Sequence, residues 1–326
     1  MHLARLKLRD FRNIRRLDVE FEPGFHVLLG RNAQGKTNLL EAVYLLATLR
    51  SFRGVGNAQI IRHERKAFFA GGLAIGQAEN DIRYYWSAAQ RKLTVNEKPI
   101  RRVADYLGAL RTVIFCTEDS LLVNGPAKSR RRFLDLLLTQ TRPGYLDLLH
   151  RYTEALRSRN ALLKRDSPDL ALLDSFTGEL VATGEKLIVA RRQLVKKLSP
   201  LIRLGYRKIA AKPEDARIDY APSVREDFAV DLAKSRSREQ RYHTTLIGPH
   251  RDELKLTLDG QPAAQYASEG QKRTFAIALK MAQADYLGGI HGSPPILLID
   301  DVMGELDAGR RAGLLPLISR VGQALG

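Results

Sequence analysis

The stretch GRNAQGKT, residues 30–37, constrains the fold of this chain more than any other segment. It matches the pattern Gly-x4-Gly-Lys-Thr and lies between an apolar run, residues 27–29, and a segment with leucines at helical spacing up to Leu49. We expect the apolar run to belong to a buried central strand. Glycines let the backbone approach a phosphate, and the amides that follow form an anion nest at a helix N-terminus. The pattern therefore predicts a strand, a nucleotide-binding loop and a helix.

The positions of this phosphate loop, residues 30–37, take specific roles. Lys36 is predicted to contact the β- and γ-phosphates of ATP, and Thr37 to supply a hydroxyl ligand to Mg²⁺. The residues predicted to bind the nucleotide through the loop are Gly30, Arg31, Asn32, Ala33, Gln34, Gly35, Lys36 and Thr37. ATP and Mg²⁺ are therefore the cofactors that we expect.

A second segment, ILLIDD at 296–301, reads as an apolar buried strand that ends in two acids. Asp300 is predicted to hold Mg²⁺ together with Thr37, and Asp301 is predicted to be the general base for water. Many ATPases of this type have Glu at that position. An Asp carboxylate sits back by roughly 1.5 Å because its side chain is one methylene shorter, so we expect slow hydrolysis.

The charge of the chain favours a polyanionic partner. It carries 53 basic and 36 acidic residues, a formal net charge of +17, and residues 186–212 hold nine basic side chains and no acidic one. We predict that the partner is DNA; the alternative is that these charges only solvate a helix face. The residues predicted to contact DNA are Arg130, Arg131, Arg132, Arg191, Arg192, Lys196 and Lys197.

Other classes of protein are disfavoured. The longest apolar stretch, residues 38–49, is interrupted by Glu41 and is too short to span a bilayer. The segment after Met1 has no signal-peptide pattern. The single cysteine, Cys116, follows strand residues and is expected to be buried. These features predict a cytoplasmic protein with no membrane partner.

Two kinds of pattern alternate along the chain. Residues 3–29 and 67–100 show the period-two alternation of strands, with a turn at Asn96-Glu97. The aromatic residues 84–86 could stack a base, but aromatic residues on a sheet face are more often part of the core, and we assign them there. Leucine-rich helical patterns then cover residues 130–138, 144–163 and 170–198. The sequence therefore predicts an α/β nucleotide-binding lobe with a mixed sheet (lobe I, residues 1–117 and 244–326). An all-helical, basic lobe (lobe II, residues 118–243) is inserted into it.

Several segments resemble the nucleotide-binding heads of ABC-type ATPases in their SMC-like branch. They are FRN at 11–13, GRNAQGKTNLLEAVYLL at 30–46, ASEGQKR at 267–273 and LLIDDVMGELD at 297–307. Two further segments, residues 117–135 and 245–253, resemble the RecF family of bacterial recombination mediators. The similarity covers nearly the whole chain. It implies an ABC-type ATPase head with an inserted helical lobe.

The resemblance also implies a function. It suggests an ATP-gated homodimer of recombinational DNA repair and replication-fork maintenance that binds gapped or duplex DNA and, with RecO and RecR, promotes RecA loading. A weak, DNA-dependent ATPase activity is expected. The alternatives are an SMC-like head of a defence or nuclease system, which would need a nuclease module, and a transporter-type ABC subunit. A transporter subunit would need a membrane partner and would leave the basic lobe unexplained.

Some site residues come from the resemblance alone. Arg12 and Asn13 are expected near the nucleotide; the alternative is a solvated strand end. A signature turn at residues 266–273 is expected to face the ATP of the other protomer through Ser268, Gly270 and Gln271, whereas Ser268 could equally be a plain helix N-cap. Either Glu118 or Asp119 is expected to report Mg²⁺ to lobe II, with an N-cap as the alternative.

Three features depart from the family pattern. Thr117 stands where we expect Pro, and Gly304 stands where Ser or Ala is usual. In such chains the helix after Asp307 leads into another strand with a switch residue, whereas we expect this chain to stop just after that helix, so that it is either trimmed or lacks the switch. His250 is expected to be a turn residue.

Overall fold

The computed structural model of the chain describes residues 1–31, 34–167, 169–210, 212–305, 307–318 and 322–326. Its strands form three sheets. In chain order they are β1 (His2–Phe11), β2 (Ile14–Glu20), β3 (Gly24–His26), β4 (Ala67–Ile75), β5 (Glu79–Ser87), β6 (Arg91–Val95), β7 (Lys98–Pro99), β8 (Thr112–Phe115), β9 (Ala216–Ala221), β10 (Glu253–Leu258), β11 (Gln261–Pro262), β12 (Ile296–Ile299) and β13 (Gln323–Leu325).

The helices separate these strands into groups. They are α1 (Lys36–Thr48), α2 (Val103–Tyr106), α3 (Ala127–Thr141), α4 (Tyr145–Leu163), α5 (Leu170–Ile209), α6 (Phe228–Tyr242), α7 (Ala263–Tyr266), α8 (Glu269–His291) and α9 (Ala308–Ile318). In the part of the chain that is described, no helix is long and apolar enough to cross a membrane.

The first sheet is antiparallel, in the order β2-β1-β4-β5-β6-β7. Its inner face packs against α1, because alternate residues such as Leu6 and Leu8 point into the core while Lys7 and Arg9 are exposed. The predicted turn is confirmed: Asn96 and Glu97 both have positive φ, 50° and 66°, as a two-residue hairpin loop requires.

The second sheet is parallel, in the order β3-β13-β12-β8. All four residues of β12 are buried, as predicted. Two predictions were wrong. Val27 and Leu29 are 58% and 88% exposed, because β3 ends at His26 and leads straight into the phosphate loop. Among the strands that the structure describes, β3 pairs only with β13. A strand does follow α9, but β13 is only three residues long, too short to show a pattern.

Lobe II contains the predicted helices and one element that the pattern missed. Helix α5 continues through Pro200 to Ile209, since Leu198, Ile202 and Ile209 stay at helical spacing and are buried. Residues 216–221 form strand β9, so the prediction of an all-helical lobe was wrong. Six residues carry a weak pattern by themselves, and pairing with β10 supplies the hydrogen bonds that fix the strand.

A buried polar cluster joins the helices of lobe II around residues 245–253. Gly248 has φ 133°, and a Cβ there would lie 2.7 Å from the hydroxyl oxygen of Tyr152. The Tyr152 hydroxyl donates to Nδ1 of His250 (2.6 Å), whose Nε2 donates to the carbonyl of Thr245 (3.1 Å). His250 lies in the 3₁₀ turn Pro249–Arg251, so the prediction of a turn residue is confirmed, and both of its ring nitrogens are held by half-buried structural hydrogen bonds.

We expect the neutral form of His250 to stabilise the fold. Burial lowers its pKa from 6.5 to about 4, so the unfolded chain binds more protons between these values. The free energy of unfolding should fall as the pH drops from 6.5 to 4, by about 1.4 kcal/mol per pH unit and ~3 kcal/mol in all. Urea unfolding across this range should show a shallower pH dependence for His250→Gln; an identical slope would contradict the assignment.

Candidate functional site

Gly35 of the phosphate loop directly precedes α1 and has φ 104°. A Cβ at this position would lie 2.9 Å from Oδ1 of Asn13, so only glycine fits between the first sheet and the helix. Asn13 in turn accepts a hydrogen bond from Nδ2 of Asn38 in α1 (2.8 Å). The FRN segment thus contacts the end of the loop, while the implied place of Asn13 near the nucleotide stays a prediction.

The side chain of Lys36 is hydrogen-bonded to backbone carbonyls of the phosphate loop. Lys36 Nζ donates to the carbonyl oxygens of Gly30 (2.6 Å) and Arg31 (3.1 Å), which places the ammonium group at the inside of the loop. Arg31 and Gln34 are exposed beside it. Asn32 and Ala33, which we also predicted to bind the nucleotide, lie outside the described residues.

Arg12 is not a solvated strand end. Its guanidinium donates two hydrogen bonds to the carboxylate of Glu41 in α1 (2.8 and 2.7 Å), and a third to the carbonyl of Gln59 (2.9 Å). Glu41 is fully buried and also accepts from Ser51 Oγ (2.5 Å). Arg12 therefore braces the helix that carries the loop. Its contact with a nucleotide stays a prediction.

Asp300 contacts the phosphate loop although the two are far apart in sequence. Thr37 Oγ1 donates to Asp300 Oδ1 at 2.7 Å, although 263 residues separate them. Asp300 follows β12, and its amide donates to the carbonyl of Phe115 (2.8 Å) at the end of β8. Burial raises the pKa of Asp300, and the nearby carboxylates of Asp301 and Glu118 raise it further. A divalent cation here would offset this crowding of negative charge.

Glu118 stays a candidate to serve a metal ion, whereas Asp119 is engaged elsewhere. Asp119 accepts from the amide of Cys116 (3.0 Å) and pairs with Lys280 Nζ (3.2 Å), so its carboxylate is committed within the protein. Glu118 is exposed, and its charge acts on Asp300. Thr117 begins the 3₁₀ turn Thr117–Leu122, a position where the expected proline would also fit.

These oxygens suit Mg²⁺. Thr37 and Asp300 place two hard ligands side by side, with Glu118 nearby, and Mg²⁺ usually binds one or two carboxylates together with phosphate oxygens and water. No group of three His, Cys, Asp or Glu side chains within the described residues forms a metal site of its own. The donor set therefore fits an ion that arrives with a nucleotide.

Asp301 is exposed and has φ 57°, a left-handed conformation that Asp tolerates better than most residues. Gly304 is also exposed, and a Cβ there would meet nothing within 4 Å. The departure from Ser or Ala at this position is therefore sterically neutral in the protomer.

The signature turn starts α8 with a capping box. Ser268 Oγ accepts from the amide of Gln271 (3.3 Å), and Gln271 Oε1 accepts from the amide of Ser268 (2.6 Å). Gln271 Nε2 also donates to Glu214 (2.8 Å), so the Gln271 side chain is committed internally and its predicted contact with ATP is not supported. Ser268 itself is exposed.

Sequence reasoning missed one side chain at this turn, Arg310 of α9. A Cβ on Gly270 would lie 2.9 Å from Arg310 Nη1, so glycine makes room for this guanidinium. Arg310 donates to Thr274 Oγ1 (2.8 Å) and pairs with Asp307. The one available signal was the spacing of Asp307 and Arg310, because an Asp just before a helix caps it and can pair with a cation three residues later.

Three of the residues predicted to contact DNA have partners within the protein. Arg130 donates to both carboxylate oxygens of Glu253 (2.7 and 3.0 Å), Arg131 donates to the carbonyl of Asp252 (2.7 Å), and Arg191, 3% exposed, donates to Asp135 (2.9 and 3.0 Å). The guanidinium groups of Arg130 and Arg191 are fully engaged, so these two predictions were wrong, because a run of charges in sequence does not show which members have internal partners. Arg131 is half-buried, and its contact with DNA stays a prediction. Arg132, Arg192, Lys196 and Lys197 are exposed.

Two further exposed cations of α5, Arg203 and Arg207, lie close to Arg192 and Lys196. Arg192 and Lys196 line a groove of about 690 Å³ with Arg203 and Arg207, against Tyr220 of β9. We call this the α5 groove. One acid, Asp219, also lines it, and Arg203 pairs with Asp215 at 2.7 Å. The groove keeps a surplus of positive charge.

Comparison with known proteins agrees with this geometry. A family model described as RecF/RecN/SMC N terminal domain matches residues 2–325. The Smc head domain of Pyrococcus furiosus, in a crystal structure with ScpA, superimposes with a TM-score of 0.57 at 15% identity over 99% of this chain and 88% of that one, which shows the fold alone. The fold and the site therefore define the head domain shared by RecF, RecN and SMC proteins, and the predicted fold class is confirmed.

Within this class, the chain belongs to the RecF family. It is 39% identical to the DNA replication and repair protein RecF of Symbiobacterium thermophilum over 98% of this chain and 88% of that protein. It is 36% identical to RecF of Geobacter metallireducens, over 98% and 90%. A solved structure of the recombination mediator RecF–ATP in the RecFOR pathway superimposes with a TM-score of 0.92 at 31% identity, over 99% of this chain and 90% of that one.

Proposed function

We propose that this chain is an ATP-dependent DNA-binding protein of recombinational DNA repair and replication-fork maintenance. The observation that carries the proposal is the hydrogen bond between Thr37 and Asp300, which joins the phosphate loop to the acidic end of β12. ATP would lie on the loop, with Lys36 at its terminal phosphates. Thr37, Asp300 and Glu118 would hold Mg²⁺, which neutralises phosphate charge. Membership of the RecF family, and the RecF–ATP structure, support this reading over a transporter subunit or a nuclease-system head.

ATP would also close a homodimer. The phosphate loop and the signature turn occupy the N-termini of two different helices, α1 and α8, and each is suited to an anion. Because Ser268 is exposed, it can meet the γ-phosphate bound by a second protomer. The two copies of lobe II, residues 118–243, one from each protomer, would then belong to the same dimer and present their cations to DNA.

We expect the two motifs to separate nucleotide binding from dimerisation. Lys36→Met should abolish both, because it removes the cation at the phosphates. Ser268→Arg should leave ATP binding near wild type and abolish ATP-dependent dimerisation, because the long side chain would block the contact with the ATP of the other protomer. Fluorescent-nucleotide titration and light scattering, with and without ATP, measure the two properties.

Ser268→Thr is the matched control, because it keeps the hydroxyl and the helix cap. It should dimerise like the wild type. The cap itself contributes only ~1 kcal/mol, so the arginine variant should stay folded. Loss of nucleotide binding in Ser268→Arg would mean that the turn belongs to the site of its own protomer.

Hydrolysis should be slow because the carboxylate of Asp301 is short. We expect a turnover well below the enzyme median of about 10 per second, and a rise of roughly tenfold or more in Asp301→Glu. Asp301→Asn should lower hydrolysis by about 10²-fold with ATP affinity unchanged. Phosphate release under single-turnover conditions measures these rates. An unchanged rate in Asp301→Asn would remove this residue from the general-base role.

DNA contacts should map to the α5 groove. With 6 to 10 phosphate contacts, duplex affinity should fall roughly 10³- to 10⁵-fold between 50 and 200 mM salt. Replacing Arg192 and Lys196 by Gln should lower affinity on all sequences and reduce the slope of log affinity against log salt by about 2. Lys234→Gln, at an exposed cation paired with Glu226, is the control. A flat salt response in the wild type would exclude DNA as the partner.

We also propose that the dimer acts with RecO and RecR to load RecA at gaps and junctions. The support is family membership and the RecFOR pathway in which the similar solved structure takes part. RecA filament assembly on gapped DNA, with RecO and RecR present, should accelerate on addition of this protein and ATP. No acceleration would confine the function to DNA binding.

A further inference from the structure

The antiparallel sheet carries aromatic side chains on both faces. Phe68, Tyr84 and Trp86 pack inside, with the Phe68 ring centroid 5.4 Å from Tyr84 and 6.3 Å from Trp86. Phe69 and Tyr85 alternate with them and lie directly opposite each other on β4 and β5, on the outer face. The assignment of Tyr85 to the core was therefore wrong, because period-two alternation sends neighbouring aromatics to opposite sides.

A glycine lets one of these rings lie along the sheet. A Cβ on Gly71 would be 2.9 Å from Cζ and 3.2 Å from Cε1 of Phe69, so the ring extends across the backbone of Gly71. A side chain at 71 would therefore force the ring to shift. Phe69 and Tyr85 are both half-buried, and the ring area they leave open faces solvent.

Cationic side chains flank the two rings along the line of cross-strand partners. Across five strands, Arg16, Arg9, Phe69, Tyr85 and Lys92 are successive partners in the register of the sheet. All three cations are exposed. Strands are about 4.8 Å apart, so each charge lies within reach of a phosphate whose base rests on a ring.

The surrounding groove is positive. It measures about 990 Å³, and its lining includes six cations: Lys7, Arg9, Arg15, Arg16, Arg65 and Lys66. Two carboxylates share it. Asp18 is held by Arg5 (2.7 and 2.8 Å), and Asp10 lies 3.6 Å from Arg65. The surplus of charge suits a polyanion.

We propose that this outer face, centred on Phe69 and Tyr85, is a stacking platform for single-stranded DNA. Bases would stack on the two rings while Arg9, Arg16 and Lys92 contact phosphates. Duplex DNA keeps its bases paired and stacked, so it cannot use the rings. The proposal rests on the proposed DNA binding and adds a second surface, chemically distinct from the α5 groove, that distinguishes single strands from duplex.

The test is a double variant, Phe69→Leu with Tyr85→Leu, which removes the rings and keeps apolar side chains. Each ring should contribute about 5- to 150-fold to the affinity for oligothymidylate. An abasic strand of equal length should bind wild type and double variant alike, because it offers phosphates without bases. Duplex affinity should not change. Tyr85→Phe keeps its ring and should match the wild type.

The outcomes separate the two proposals. If the wild type binds duplex DNA and the double variant keeps the full preference for thymidine over abasic strands, the platform is wrong and the proposed function stands. If the wild type binds neither kind of DNA, the proposed function fails. An acidic peptide that binds this face of the wild type while single-stranded DNA does not would assign it to a protein partner.

Cross-linking keeps the test independent of folding in the variant. Ultraviolet irradiation of the wild type with a 5-iodouracil-substituted single strand should give adducts at Phe69 or Tyr85 by mass spectrometry. Abundant adducts confined to other aromatic residues would overturn the platform.

Discussion

The hydrogen bond from Thr37 to Asp300 depends on the order of the parallel sheet more than on either residue. Strand β12 ends at Ile299 between β8 and β13, and β13 pairs with β3, which leads into the phosphate loop. Segments from the start, the middle and the end of the chain therefore have to pair before the two side chains meet. Gln323 strengthens this closure, since its side-chain oxygen accepts from the amide of Leu3 (2.8 Å). The site is thus a product of long-range topology.

The antiparallel sheet contributes to the same site through two contacts. Arg12 holds α1 through the buried carboxylate of Glu41, and Asn13 packs against Gly35. A buried carboxylate without its cation would be costly, so the helix position and the strand end fix each other. The loop is held from the sheet on one side and from Asp300 on the other. This explains why FRN, far from the loop in sequence, belongs to the same structural unit.

Sequence predicted what short spacing encodes. The phosphate loop, α1, β12 and the cap at Ser268 follow from residues close together in the chain. The failures share a different cause. Strands β9 and β13 form only by pairing with strands that are distant in sequence. Arg130 and Arg191 were assigned to DNA because their partners could not be recognised: Glu253 is far from Arg130 in sequence, and Asp135 lies on a different helix from Arg191. Tyr85 was placed in the core because composition does not reveal which face a strand residue occupies.

The two basic surfaces offer different chemistry, and on our proposals that difference gives structural selectivity without reading bases. The α5 groove presents charge, which any duplex satisfies, whereas the outer face of the antiparallel sheet also presents rings that only unpaired bases can reach. A single DNA molecule that engages both surfaces binds the second at a high effective concentration. A junction between single strand and duplex satisfies both at once, and neither a plain duplex nor a plain single strand can. On these proposals, a preference for junctions would follow from the placement of Phe69 and Tyr85 beside exposed cations, without a residue dedicated to the junction itself.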